Sequence, residues 1–302
     1  MQRSDGTTTV LTAFDQEAWN RLGVTWLASL RDLARYDGDV CVISDGLNER
    51  ARRFLTANNV RMIPPAGKFK TPRLDYLYTA MISAEGTVAY WENTSYFQTG
   101  LDELFTIAEK STVLSLSVSP QPMLRSSLEG FGYKDTDCLA PNAMHKTLLD
   151  IARQHGTVLQ GQFIAGTKSH LNFLGKLLGF HASYGYLNDT IHGVDLALNL
   201  LYAASPDSFT IDSRWSDMVD SRWIWRGGLY KGDELVKVVS FPPNMVFSAL
   251  CARFHLVNCY RELHTAWHTK YRDQFSMPRL LFARIKKEPT GEEATVQVRT
   301  GE

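Results

Sequence analysis

The sequence predicts an α/β protein with a mixed, mostly parallel, Rossmann-like sheet flanked by helices. Short β-branched apolar runs alternate with amphipathic helical segments, and this strand–helix order recurs through the first hundred residues. Such alternation is typical of βαβ units, which build parallel sheets. The length of 302 residues suits one large domain. A long periodic apolar segment near the C-terminus predicts that this domain ends in a helical region.

The composition is that of an ordinary globular chain without a charge excess. Apolar residues make up 44% and charged residues 21%, and 32 Lys and Arg balance 32 Asp and Glu. A general polyanion binder needs excess positive charge, so the composition argues against nucleic acid as a partner. No run approaches the roughly 18–20 apolar residues of a membrane span, and no secretory signal is visible. The cysteines lack CxxC spacing, which favours reduced thiols and a cytoplasmic protein.

Closely spaced strands and helices are predicted for the first hundred residues. The strands are Thr8–Phe14, Asp39–Ser44, Val60–Ile63 and Thr87–Trp91, and the helices are 17–33, Asn48–Ala57 and Leu74–Ala84. Asp15 stands where a helix N-cap is expected, because its side chain can accept a hydrogen bond from the first turn. The segment from Pro64 to Gly67 interrupts the pattern before the third helix.

The segment from Gly86 to Phe105 carries the main functional signal. It begins with the apolar fourth strand, turns polar at Glu92, Asn93 and Thr94, and ends in a Leu-Asp-Glu-Leu-Phe run. A carboxylate at the C-terminal end of such a strand lies at the crevice of an α/β sheet, where ligands bind. The alternative interpretation is a core strand that ends in a polar turn before a short helix.

This order of features resembles the donor-site segment of the GT-A glycosyltransferases, especially the glycogenin and lipopolysaccharide-galactosyltransferase type. In that family an Asp-x-Asp motif holds Mn²⁺ or Mg²⁺ against the diphosphate of a nucleotide-sugar. Aligning Phe97 with the family's Phe places Glu92 at the first Asp and Thr94 at the second. The resemblance therefore implies Glu92 as the metal ligand. Thr94 departs from the motif, because a hard cation prefers anionic oxygens to a neutral hydroxyl.

The resemblance also implies which residues bind the donor and carry the reaction. Glu92 and Asp195 are the implied catalytic residues, with Asp195 beside the transferred sugar. The implied donor-binding residues are Ala13, Phe14, Asp15, Arg73, Asp75, Trp91, Asn93, Thr94, Gln162 and Gly166. Without a metal, Lys68, Lys70 or Arg73 could neutralise the phosphates instead.

Several of these positions have a purely structural interpretation as well. Arg73 could be a solvated residue at a helix N-terminus, and Asp195 could cap a helix. Gln162 and Gly166 could belong to a plain core strand that ends in a glycine turn. These alternatives stay open at the level of the sequence.

The rest of the chain is predicted with fewer motifs. Further strands are expected at Thr112–Val118, Thr157–Ala165 and Leu235–Ser240, and helices at Asn142–Arg153, Ser169–Phe180 and Met245–Tyr271. The glycogenin type has a metal-side His after the late strand, where this chain has Ser240 and Phe241. We expect residues 1–118 to form the nucleotide-sugar-binding half, 119–285 the acceptor-binding half with the C-terminal helix, and 286–302 a flexible tail.

The resemblance implies a hexosyltransferase-like enzyme that moves a sugar from a UDP- or GDP-sugar to a hydroxyl of a glycan or small molecule. Two alternatives remain open. The altered motif could mark a nucleotide-sugar-binding or scaffold protein of the same fold with impaired catalysis. The chain could also be a sugar transferase acting on modified nucleic-acid bases, although its neutral charge argues against this.

Overall fold

A computed structural model describes residues 7–44, 46–117, 158–181, 194, 197–198, 201–202, 205–218, 224–225 and 229–240. Its strands are β1 Thr8–Ala13, β2 Asp39–Ile43, β3 Val60–Ile63, β4 Thr87–Trp91, β5 Ser95–Phe97, β6 Thr112–Ser117, β7 Val158–Thr167, β8 Phe209–Ile211, β9 Asp217–Met218, β10 Ile224–Trp225, β11 Leu229–Lys231, β12 Glu234–Leu235 and β13 Val238–Ser240. Its helices are α1 (residues 16–33), α2 Glu49–Ala57, α3 Pro72–Ile82, α4 Asp102–Ala108 and α5 Lys168–His181, with short 3₁₀ turns at Pro206–Ser208 and Ser213–Trp215.

Seven strands form the central sheet in the order β3-β2-β1-β4-β7-β6-β8. Strands β1 to β4 pair with one another in parallel. Strand β7 runs antiparallel to both β4 and β6, and β6 is parallel to β8. The predicted mixed, mostly parallel sheet is therefore confirmed. All four parallel strands end at the same edge, so β1 and β4 present their last residues side by side.

Helices cover both faces of this sheet, as the alternation of the strand residues requires. Val40 and Val42 of β2 pack on one face with the apolar residues of α1, α2 and α4. Cys41 and Ile43, which alternate with them, pack on the other face with α3 and α5. Each strand thus contributes side chains to two separate cores, which explains why β1, β2 and β4 are almost continuously buried.

Helix α1 starts as predicted but is not a regular α-helix. The Asp15 carboxylate accepts a hydrogen bond from the Ala18 amide at 2.7 Å and caps the first turn. Two stretches, Trp19–Gly23 and Ser29–Leu33, are wound as π-helix. The Trp19 ring lies over Gly23, where an added Cβ would come within 2.1 Å of the ring. The glycine therefore makes room for the buried indole of Trp19, whose place on the apolar stripe of the helix follows from its spacing.

A second, three-stranded sheet joins the turn after β4 to a distant part of the chain. Strand β5 pairs antiparallel with β13, so that Ser95 lies opposite Ser240, and β13 also pairs in parallel with β9. The sequence predicted one late strand over Leu235–Ser240, whereas the structure divides this stretch between β12 and β13. The end of β13 consequently lies next to the polar turn that follows β4.

Two glycines with a left-handed backbone allow a matched test of the close contact between Thr7 and Gly86, the residue before β4. Gly86 (φ 72°) and Gly67 (φ 68°) share this conformation, but a Cβ at Gly86 would lie 2.1 Å from the Thr7 carbonyl oxygen, and at Gly67 it would meet nothing. We expect Gly67→Ala to lower the free energy of unfolding by about 1 kcal/mol. Gly86→Ala should cost about 3 kcal/mol, because backbone must also move. Urea denaturation checks the difference, and equal losses would contradict it.

The remaining predictions fall partly outside this description. Helix α5 matches the helix predicted over Ser169–Phe180 to within one residue at each end. The helices predicted over Asn142–Arg153 and Met245–Tyr271 lie outside the described residues. None of the helices in the described part of the chain has the length and hydropathy needed to cross a membrane.

Candidate functional site

A cleft of about 270 Å³ opens where β1 and β4 end and where α1 and α3 begin. Ala13 and Asp15 line it from the end of β1, and Arg73 lines it from the first turn of α3. Glu92 and Thr94 line it from the turn after β4. This is the edge at which open α/β sheets bind ligands. The helix N-termini also direct the positive ends of their dipoles toward this edge.

An ion pair between Arg73 and Glu92 forms the charged centre of the cleft. The guanidinium donates from Nε and Nη2 to the same carboxylate oxygen, Oε1, at 2.8 and 2.6 Å. The Glu92 side chain is only 10% exposed, whereas that of Arg73 is 45% exposed. The carboxylate is therefore held inside the protein wall, while the guanidinium faces both the carboxylate and the cleft.

The turn from Glu92 to Ser95 is fixed by two hydrogen bonds. The Ser95 amide donates to the Glu92 carbonyl at 3.2 Å, and the Asn93 side-chain amide donates to the Ala13 carbonyl at 2.9 Å. The second bond ties the end of β4 to the end of β1. Because both strand ends are joined in this way, the polar turn is a rigid wall of the cleft.

Thr94 is buried in the same wall, and its hydroxyl has no hydrogen-bond partner among the residues that the structure describes. Leaving a buried hydroxyl unpaired costs about 1–3 kcal/mol. A ligand that brings an acceptor oxygen next to this hydroxyl recovers that cost. Phosphate and sugar oxygens are acceptors of this kind.

The other charged residues of the cleft are Asp15, Glu17 and Arg21, which together carry one net negative charge. Glu17 and Arg21 line it from α1 and form an exposed i,i+4 pair at 3.5 Å. Tyr90 lines it from β4 beneath the ion pair. Burial, with a smaller contribution from the Glu92 carboxylate, raises the pKa of Tyr90 above its usual range. The phenol therefore stays protonated at every physiological pH and can act as a hydrogen-bond donor.

Asp75 is close in sequence to the cleft residue Arg73, but its carboxylate binds the loop before α3. Its carboxylate accepts hydrogen bonds from the amides of Gly67, Lys68 and Phe69 at 2.8, 2.6 and 2.9 Å. The residue is 4% exposed and is absent from the cleft wall. The predicted direct contact of Asp75 with a nucleotide therefore finds no support in the lining of the cleft. Asp75 fixes the loop that leads into α3 and hence positions Arg73.

Removing this anchor is expected to loosen the loop. Asp75→Ala deprives three amides of a charged acceptor, so the free energy of unfolding should fall by about 2–4 kcal/mol. Local opening should also speed tryptic cleavage after the exposed Lys68 and Lys70. Limited proteolysis followed by mass spectrometry measures this. Cleavage at the wild-type rate after both lysines would show that the carboxylate does not hold the loop.

Several residues predicted to bind the donor lie elsewhere. Phe14 and Trp91 are fully buried core residues and do not reach the cleft, because their side chains point to the sheet face covered by α1. Gly166 pairs with Val88, four residues before Glu92, which places it about 13 Å along the strand from the carboxylate. For Gln162 only the backbone, in β7, is described, and Asp195 lies outside the described residues.

Sequence reasoning missed the cleft residues supplied by helix periodicity. Tyr76 stands one turn after Arg73 on α3, and Arg21 one turn after Glu17 on α1, and all four line the cleft. Residues three or four positions apart share a helix face. Adding the residue one turn further along each predicted helix would have identified Arg21 and Tyr76.

The described donor set does not fit a hard divalent cation. Within the described residues no group of three His, Cys, Asp or Glu side chains converges on one point. The Oε1 atom of Glu92 is held by the Arg73 guanidinium, and Thr94 contributes only a hydroxyl. Mn²⁺ and Mg²⁺ prefer anionic oxygen ligands and would be repelled by the adjacent guanidinium.

Comparison with known proteins identifies the fold. Neither a family model nor a curated protein matches this sequence. A solved structure of the galactosyltransferase LgtC, in complex with donor and acceptor sugar analogues, is similar with 14% identity and a TM-score of 0.55. The match covers 88% of this chain and 100% of that one. An active-site variant of LgtC is similar with 12% identity, a TM-score of 0.53 and the same coverage. The described chain therefore has the fold of the GT-A glycosyltransferases.

Proposed function

We propose that this protein is a glycosyltransferase that moves a sugar from a UDP- or GDP-sugar to a hydroxyl of a glycan or small molecule. One observation carries the proposal: the cleft at the ends of β1 and β4 is lined by Arg73, whose side chain is half-exposed, and by Thr94, whose buried hydroxyl has no hydrogen-bond partner among the described residues. Both are donors to oxygen, and both lie at the edge of the sheet where nucleotides bind in α/β folds. The fold shared with LgtC supports the same class of reaction.

The described residues suggest roles for the leaving diphosphate. Transfer breaks the bond between the anomeric carbon and the diphosphate oxygen, so negative charge builds up on that oxygen. The Arg73 guanidinium offers charge-assisted hydrogen bonds to such oxygens, and the Thr94 hydroxyl offers a neutral one. Preorganised donors aimed at developing charge lower the barrier without reorganisation.

The nucleoside and the acceptor complete this assignment. Ala13 and Asp15 lie at the end of β1, beside the polar turn, and we assign them to the base and ribose. Asn93 holds this strand end in place through its bond to the Ala13 carbonyl. We propose residues 1–118 as the donor half and 119–285 as the acceptor half. In the acceptor half, we propose Asp195 and Gln162 as contacts with the transferred sugar.

A donor screen tests the proposal. The full chain is incubated with a panel of UDP- and GDP-sugars, each with EDTA, Mn²⁺ or Mg²⁺, and release of UDP or GDP is followed. Slow hydrolysis of one donor, accelerated by a sugar acceptor, is the expected result. Tight donor binding without release would favour the catalytically impaired binding protein. Absence of both binding and release across the panel would contradict the proposal.

A further inference from the structure

The Arg73–Glu92 pair places a protein cation at the tip of β4. Two N–H donors of one guanidinium converge on a single oxygen of a carboxylate that is 10% exposed. A buried carboxylate is stabilised by a nearby positive charge that also donates hydrogen bonds to it. In this protein Arg73 provides that charge from the first turn of α3, whose dipole adds to it. The acidic tip of the strand is thus already neutralised by the chain itself.

The described residues that follow Glu92 in the turn carry an amide and hydroxyls rather than carboxylates or imidazoles. Thr94 and Ser95 are part of this turn, and in the described part of the chain neither of their buried hydroxyl oxygens has a hydrogen-bond partner. Ser240 lies opposite Ser95 in the small sheet and shares a hydrogen bond of 2.7 Å with Ser216. Hydroxyls bind hard divalent cations weakly unless several anionic oxygens accompany them. They are, however, good donors to phosphate oxygens.

We propose that Arg73 is the cationic group that binds the donor's phosphates, and that diphosphate binding requires no divalent cation. Glu92 acts through Arg73 as a positioning residue, because it fixes the guanidinium plane against the cleft wall. The Thr94 hydroxyl adds a donor beside it. This inference rests on the proposed function, since it specifies how the same cleft holds a nucleoside diphosphate.

The planar geometry of arginine makes this arrangement possible. A guanidinium has five N–H donors in a fixed fork and can therefore bind a carboxylate along one edge and a phosphate along another. The Arg73 side chain is 45% exposed, so the cleft has access to it. A lysine could not hold both partners in one plane, which makes Arg73→Lys a stringent variant.

Calorimetric titration with UDP and GDP tests the inference. In EDTA, the wild-type protein is expected to bind one of them with a Kd within about threefold of that in Mn²⁺ or Mg²⁺. Arg73→Gln should weaken this binding by about 10–100-fold, and Arg73→Lys by about tenfold. Arg53→Gln is the matched control, because Arg53 forms an exposed pair with Glu49 at 2.8 Å on α2, away from the cleft. It should bind like the wild type.

A double-mutant cycle tests the role assigned to Glu92. If Glu92 acts only through Arg73, the variant carrying both Arg73→Gln and Glu92→Gln should bind no more weakly than Arg73→Gln alone. Independent, additive losses would overturn the positioning role. A merely structural defect would instead appear as a lower melting temperature, which is measured on the same samples.

The outcomes separate this inference from the proposed function. Nucleotide binding that disappears in EDTA and returns with Mn²⁺ overturns the inference and leaves the glycosyltransferase proposal standing. Metal-free binding that survives Arg73→Gln unchanged also overturns it. Failure of both UDP and GDP to bind under all conditions would overturn the proposed function, and the inference with it.

Discussion

Glu92→Ala is expected to abolish sugar transfer while leaving the fold intact. The substitution frees the Arg73 guanidinium from the oxygen that it contacts at 2.6 and 2.8 Å. A misplacement of about 1 Å in a group that must meet a transition state costs on the order of 100-fold in rate. We therefore expect kcat to fall by about 100-fold or more. The partner left behind is half-exposed and can be solvated, so circular dichroism and the melting transition should stay close to wild type.

Glu49→Ala provides the control for this variant. Glu49 also binds an arginine through one carboxylate oxygen, but the pair lies on the exposed face of α2. It should therefore retain wild-type kcat. Release of UDP or GDP from the active donor measures both variants. Wild-type turnover by Glu92→Ala would remove the acidic tip of β4 from the account of catalysis.

Trp91→Ala is expected to have the largest effect on stability. The indole is fully buried, with ring centroids 5.0 Å from Phe97 and 4.8 Å from Phe163. Its Nε1 donates to the Trp215 carbonyl at 2.7 Å. Truncation empties this volume and leaves the carbonyl unpaired, so the free energy of unfolding should fall by about 3–5 kcal/mol. The loss should also lower the melting temperature of the protein.

Phe173→Ala is the matched aromatic control, since this ring on α5 is 56% exposed. Its loss should change the free energy of unfolding by about 0.5 kcal/mol or less. Chemical denaturation of both variants gives the comparison. Similar losses in the two would mean that the Trp91 indole is not packed against Phe97 and Phe163 as the structure indicates.

The leading half of the fold follows from local sequence signals. The bounds of β3 and β4 were predicted to the residue, because short apolar runs flanked by turn residues leave little freedom. The antiparallel direction of β7 and the pairing of β5 with β13 were not predicted. Those features depend on contacts between segments far apart in the chain, which local periodicity does not encode.

The sequence identified the positions of the two charged residues at the centre of the cleft but not the contact between them. Arg73 and Glu92 were both identified, since one begins a helix and the other ends a strand. That they bind each other could not be read from a separation of 19 residues. Phe14 was predicted as a base or ribose contact together with Ala13, but successive residues of a strand face opposite ways, and Phe14 is buried in the core. The loop-anchoring role of Asp75 required the backbone path of residues 67–69.

A crystal structure of the protein with UDP or GDP, grown in EDTA, would show directly whether Arg73 binds the diphosphate without a metal. We predict a phosphate oxygen within about 3 Å of the Arg73 guanidinium and a second one near the Thr94 hydroxyl. The Arg73–Glu92 pair should remain formed beneath the diphosphate. A nucleotide bound away from this cleft, with Arg73 touching no phosphate, would contradict the assignment of Arg73 as the phosphate-binding group.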